Sequence, residues 1–275
     1  MRVRRRCLPR GWYPDTAEQT RQAIEALLET LPTGRATGVA GVAPHAGWEF
    51  SGGIALEVLS RIARGMDTIV IIGGHLGPTD GILCAFEDCY ETPLGPLMAD
   101  RELLNALGGT IKVLEDRQQD NTVEIQLPFL RFLAPDARVL GMRAPPSQTA
   151  EELGAAIAEA ADRLGRKTAV LGSTDLTHYG PNYGFAPAGS GLAGFQWVKD
   201  VNDKRLIECL LSLDPGLALE RAQQEKSACS IGGAMAAMGF ARARGVHQGT
   251  LLRYATSHDV HPSESFVGYA GVLYT

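Results

Sequence analysis

Apolar and polar positions along the chain alternate between two habits. Short apolar runs at 37–43, 68–72, 82–86, 138–142, 168–172, 250–256 and 266–274 predict strands. Between them, the segments 51–65, 100–107, 122–133, 148–165, 200–212 and 229–244 read as helices. Residues 16–31 add another, with Ile24, Leu27, Leu28 and Leu31 on one face after the Gly11-Trp12-Tyr13-Pro14 turn. Strands alternating with helices predict an α/β fold in which a central sheet is covered on both faces. No repeat, low-complexity block or composition break marks a linker, so 1–275 reads as a single domain.

Three of the apolar runs discharge into polar loops that carry a histidine. Val42-Ala43-Pro44-His45-Ala46-Gly47 is the first, Gly73-Gly74-His75 the second, and Ser173-Thr174-Asp175-Leu176-Thr177-His178-Tyr179-Gly180 the third. In open α/β sheets ligands bind beyond the carboxyl ends of the strands, so His45, His75 and His178 are expected in one pocket at that edge. The turn-rich stretch from Gly180 to Gly191 lacks a clear period and suits either an active-site lid or a surface excursion.

Composition narrows the class. The charge balance of -5 does not imply a nucleic-acid partner, and no apolar run approaches the roughly 18–20 residues a membrane span needs. The basic start Met1–Arg6 lacks the apolar core of a secretory signal. Five cysteines, an odd count, do not make a disulfide scaffold and point to a reducing, cytoplasmic compartment. Cys84, Cys89 and Cys209 read as small buried hydrophobes.

The candidate chemistry rests on a few side chains. Glycines beside His45 and His75 allow a tight turn or close ligand approach, which favours a ligating role for both. A phosphate loop at Gly73–Gly77 lacks the Lys-Ser/Thr ending. Asp175 and His178 are three apart and share a face if the loop turns helically, as suits a carboxylate orienting an imidazole for acid/base catalysis. The alternative makes Ser173, Thr174 and Asp175 helix caps, and position alone leaves both readings open. Asn121 followed by Glu124 fits a capping box. Cys229 opens a small-residue helix whose dipole would lower its pKa toward the thiolate. His258, His261 and Glu264 read as a polar turn, and His247 as surface.

Together these stretches resemble the Memo-like family, also called AmmeMemoRadiSam system protein B, a relative of the class III extradiol (LigB-type) non-haem iron dioxygenases. The Pro44-His45-Ala46-Gly47-Trp48 and Ser173-to-Gly180 stretches carry the resemblance most specifically; Glu124-Ile125-Gln126-Leu127-Pro128 and Val267-Gly268-Tyr269-Ala270-Gly271 add to it. It implies a metal site of His45, His75 and Cys229 in a LigB/Memo-like fold, with Asp175 and His178 lining the same pocket, where His178 is the candidate catalytic acid/base residue oriented by Asp175. The substrate pocket is then expected to include Trp48, Glu124, Thr174 and Tyr179.

Fe(II) is the expected metal, copper the alternative and zinc a third possibility, since imidazole and thiolate suit all three. The reading that follows is a cytosolic metal-dependent redox protein, dioxygenase-like in its pocket. Rival readings on the same fold are a peptide- or protein-binding module and a zinc hydrolase. The resemblance also implies functional association with AMMECR-type and radical-SAM proteins. Three departures stand out: Gly73-Gly74-His75 replaces the family's Gly-Pro-small-His, Asn121-Thr122 its His-Ser, and Ser230 the glycine after its cysteine.

Overall fold

The computed structural model describes residues 1–32, 36–118 and 120–275. Its first half runs β1 (Val3–Arg4), α1 (Ala17–Glu29), β2 (Ala40–Ala43), α2 (Gly53–Ile62), β3 (Thr68–Gly73), β4 (Ile82–Cys84), β5 (Cys89–Tyr90), β6 (Leu97–Met98), α3 (Arg101–Leu107) and β7 (Val113–Glu115). Next come α4 (Asn121–Glu124), α5 (Leu127–Leu133), β8 (Arg138–Arg143), α6 (Gln148–Arg163), β9 (Thr168–Ser173) and β10 (His178–Tyr179). The chain closes with α7 (Gly191–Trp197), α8 (Asp203–Leu211), α9 (Pro215–Glu225), α10 (Ile231–Ala243), β11 (Gly249–Thr256) and β12 (Phe266–Tyr274).

Four parallel strands in the order β2-β9-β3-β8 form the middle of a mixed sheet. β12 extends it antiparallel beside β2, with β11 and β10 paired to β12, and β4 and β7 close the other side. A small separate sheet joins β1, β5 and β6.

Alternation along the buried strands assigns the two faces. Val70, Ile72, Leu140, Met142 and Val170 pack with Leu153 and Ile157 of α6 and Met235 and Met238 of α10. Their neighbours Ile69, Ile71, Val139, Ala169 and Leu171 pack on the opposite face with Ile24, Leu56, Leu59 and Phe129. The fold is therefore one α/β unit with helices on both faces of a large central sheet.

Helix α10 is buried all round from Ile231 to Ala241. Its glycines explain how it fits. A Cβ on Gly233 would overlap the carbonyl of Ile72, and one on Gly172 of β9 would lie 2.6 Å from the Gly233 carbonyl oxygen. Only backbone without Cβ allows strand and helix to come this close. The helix start is thereby pressed against the carboxyl ends of β3 and β9.

Several elements differ from the sequence expectation. The single helix over 122–133 is two, α4 and α5, because Pro128 near the start of α5 cannot donate a backbone hydrogen bond. Asp120, not Asn121, caps α4 by accepting the Thr122 N–H at 2.9 Å, so the Asn121–Glu124 capping box does not form. The helices expected from 51 and 200 are preceded by π-helical turns at Trp48–Gly52 and Val198–Asn202. Helices α7 and α9 and the short strands β1, β5, β6, β7 and β10 were not expected. Among the described residues no helix is long and apolar enough to cross a membrane.

Candidate metal centre and cleft

Because β2, β3 and β9 run parallel, the segments that follow them leave the sheet at the same edge. His45 follows β2, His75 follows β3, and Asp175 and His178 follow β9. All four line one cleft of about 690 Å³, together with Asn121, Phe50, Tyr183, His261 and Tyr269. Cys229 reaches the same region from the segment before α10. Ser230 fixes it there: its N–H donates to Thr174 Oγ1 at 3.1 Å and its hydroxyl to the Gly74 carbonyl at 3.1 Å.

One ligand atom each from His45, His75 and Cys229 falls within 4.8 Å of the others. Asp175, His178 and Cys229 form a second such group. The rings of His45 and His75 meet edge to face at 5.2 Å, and Cys229 Sγ lies 3.3 Å from His45 Nε2.

The protonation of His45 follows from its neighbours. Ser173 gives its hydroxyl proton to the Thr122 carbonyl at 2.7 Å, so its oxygen can only accept at His45 Nδ1, 3.3 Å away. This assigns the ring proton to Nδ1 and leaves a lone pair on Nε2, aimed at the cluster. Burial lowers the His45 pKa, and the Asp175 carboxylate only partly opposes it. The imidazole is thus held neutral, the form that binds metals.

His75 is anchored by Asp120, which accepts its N–H at 3.4 Å and lies 3.4 Å from Nδ1, leaving Nε2 for a ligand. Burial alone would raise the Asp120 pKa, but hydrogen bonds from His75 and Thr122 outweigh it and hold the carboxyl well below the usual range. Arg143, itself buried, adds an ion pair at 3.5 Å.

Asp175 is the hinge of the site. Its Oδ1 accepts the His45 N–H at 2.7 Å, while Oδ2 lies 3.8 Å from His45 Nε2 and 4.0 Å from His178 Nε2. The last distance exceeds a hydrogen bond, and the condition of a helical turn is not met: His178 begins β10 and pairs with Val267. His178 Nε2 is instead buried with no hydrogen-bond partner among the described residues, its ring meeting that of Tyr183 at 4.9 Å. Desolvation lowers the His178 pKa, with Asp175 opposing it.

The Cys229 thiol departs from its expected acidity. It precedes α10 rather than lying within its first turn, and burial together with the Asp175 carboxylate pushes its pKa up, not down. Bound to a metal, such a thiol loses its proton outright.

The four expected pocket residues lie behind the cleft wall. Trp48 stacks on Phe129 at 3.9 Å and donates its indole N–H to the Ile125 carbonyl. Glu124 holds the N-terminal segment, accepting from Cys7 N–H, Leu8 N–H and Tyr13 Oη at 2.8, 3.0 and 2.8 Å. Thr174 is fully buried beneath Ser230, and Tyr179 donates its hydroxyl to the Gly189 carbonyl at 2.6 Å.

Asn121 faces the cleft and donates to the His45 carbonyl at 3.2 Å. His258 and His261 belong to a turn: His258 Nδ1 is 2.9 Å from the Ser263 carbonyl, and His261, on the cleft rim, pairs with Glu49 at 2.8 Å. His247 is exposed.

Sequence reasoning did not single out the support behind the His178 loop. Fully buried Asp203 accepts the Thr177 N–H at 3.1 Å, the Thr177 hydroxyl, and the Tyr254 hydroxyl at 2.8 Å. Asn202 donates to Thr177 Oγ1 at 2.9 Å. With Thr177 turned into this polar cradle, strand alternation turns His178 toward the cleft. Asp120 carried a readable signal, an N-cap acid before a helix; Asn202 and Asp203 lie inside a helical run and carried none.

A family model described as Memo-like protein matches residues 5–273. The chain is 31% identical to a MEMO1 family protein of Methanopyrus kandleri, over 96% of this chain and 95% of the relative. It is 33% identical to one from Pyrococcus abyssi over 95% and 98%, and 34% identical to one from Thermococcus kodakarensis over 86% of each.

Proposed function

The chain belongs to the Memo-like protein family, and on that premise we propose that it is a metal-dependent redox protein whose metal is held by His45, His75 and Cys229. The observation that carries this reading is the approach of three ligand atoms, from loops far apart in sequence, to within 4.8 Å. The donor set fits. His45 Nε2 has a free lone pair, His75 keeps Nε2 clear of Asp120, and thiolate with imidazole suits iron and copper. Fe(II) is the metal proposed, with copper the alternative.

Such a metal, with three protein donors, would leave positions open for substrate or a small oxidant and supply the electron transfer that side chains cannot. The chain supplies the rest. Phe50, Tyr183 and Tyr269 give the cleft apolar walls that exclude water around a substrate body. His178, unpartnered at Nε2, accepts a proton from a substrate hydroxyl facing it, and Asp175 stabilises the imidazolium so formed. Asn121 holds the His45 backbone.

Anaerobic purification followed by elemental analysis tests this reading. Iron or copper at about one per chain is the expected result, with loss of metal in His45→Ala and His75→Ala. Full zinc occupancy without iron or copper would replace it with a zinc hydrolase. Peptide affinity that survives removal of the metal, with no dioxygen consumption, would replace it with a binding module.

A further inference from the structure

Cys229 and His178 also line a second, smaller cavity of about 280 Å³. Its other walls are Leu176, Tyr183, Phe185, Lys226 and Ala228. His178 and Tyr183 line both spaces and form the partition between them. At roughly 30 Å³ per water in the liquid, the cavity has room for a benzoate-sized molecule.

The chemistry of its walls is lopsided. Leu176, Phe185 and Ala228 are apolar, and the only charged side chain among the lining residues is Lys226. Among the described residues no carboxylate forms an ion pair with this lysine. Its ammonium lies 5.3 Å from the centre of the Phe185 ring. Its backbone is left-handed, φ 50°, where the chain leaves α9. A side chain with a Cβ adopts that conformation rarely, and here Lys226 and Cys229 line one cavity.

We infer that this side pocket is a binding site for a small organic anion, with an aromatic or branched body between Leu176, Phe185 and Ala228 and its carboxylate on Lys226. The occupant sits beside the Cys229 thiol, with His178 and Tyr183 between it and the larger cleft. The inference rests on the cavity and its single cation and stands whether or not a metal is bound; the thiol serves as its reporter.

Protection of Cys229 from alkylation tests it. The 275-residue chain is freed of metal with a chelator, and iodoacetamide labelling of the Cys229 peptide is followed by mass spectrometry at a fixed alkaline pH. Benzoate at about five times its dissociation constant should slow labelling about sixfold, as expected for simple occupancy, and the neutral benzamide should not. Lys226→Gln should abolish most of the protection, each variant being compared with its own rate in the absence of benzoate. Ala228→Phe, which fills the cavity, should slow labelling without any anion. Equal protection by benzoate and benzamide, no protection by either, or full protection in Lys226→Gln would overturn the inference. Metal content, measured before stripping, reports separately on the metal centre.

Discussion

Cys229 Sγ lies 3.3 Å from His45 Nε2, across 184 residues of sequence. The ring nitrogen that faces the sulfur is the one left without a proton, because Ser173 already spends its own hydroxyl proton on the Thr122 carbonyl. A lone pair and a thiol are thus presented to each other inside a buried shell, an arrangement that a cation can bridge once the thiol proton leaves.

Cys229→Ser should keep the fold and lose iron or copper, because the hydroxyl preserves the small volume but not the soft donor. Cys209→Ser should keep both, since that thiol is buried on α8 and bonds to the Arg205 carbonyl of its own helix. Metal analysis and circular dichroism on the two variants read the difference; retention of metal in Cys229→Ser would exclude the sulfur as a ligand.

Asp175→Asn leaves one oxygen to accept the His45 N–H but removes the charge beside His45 and His178. Metal affinity or activity should fall about ten- to hundredfold, the usual cost of disturbing groups that support a metal site. Thermal stability should change little. Parallel losses of stability and activity would mark Asp175 as a purely structural residue.

Asp203 makes stability depend on pH. Burial raises its pKa from 3.8 to about 7, against hydrogen bonds from Thr177 and Tyr254 that favour the charged form. The folded state therefore holds this proton more tightly than the unfolded state. The contribution is fully present below pH 4 and is lost as pH rises through 7. The melting temperature of the native chain, measured relative to Asp203→Asn, should fall over that interval. A flat difference would show that Asp203 is ionised throughout.

Gly233→Ala places a methyl against the Ile72 carbonyl, where backbone cannot yield cheaply. A loss of about 1–3 kcal/mol in urea unfolding is expected, as for an overpacked core. The start of α10 should also shift, so weaker metal binding should accompany the lost stability. Unchanged stability would mean that the helix and β3 separate more easily than their contact implies.

The sequence determined the strands and most of the helices, because apolar periodicity is local: Ile69 and Ile71 against Val70 and Ile72 already encode two buried faces. It also located the loops of His45, His75 and His178, since each follows an apolar run into glycine or a polar turn. Helices α7 and α9 escaped because the first is short and glycine-rich and the second is mostly polar.

Tertiary structure decided what the loops do. Only the parallel order β2-β9-β3 sends them to one edge, and only the glycine contact between α10 and the sheet brings Cys229 to His45. Glu124 and Trp48, prominent in the motifs, turned out to face the N-terminal segment and the core. Asp203 and Asn202, silent in the sequence, orient the His178 loop. Periodicity reports which side of its own element a residue occupies, but not which distant residue lies opposite. That pairing is set by strand order and by the close approach of backbones.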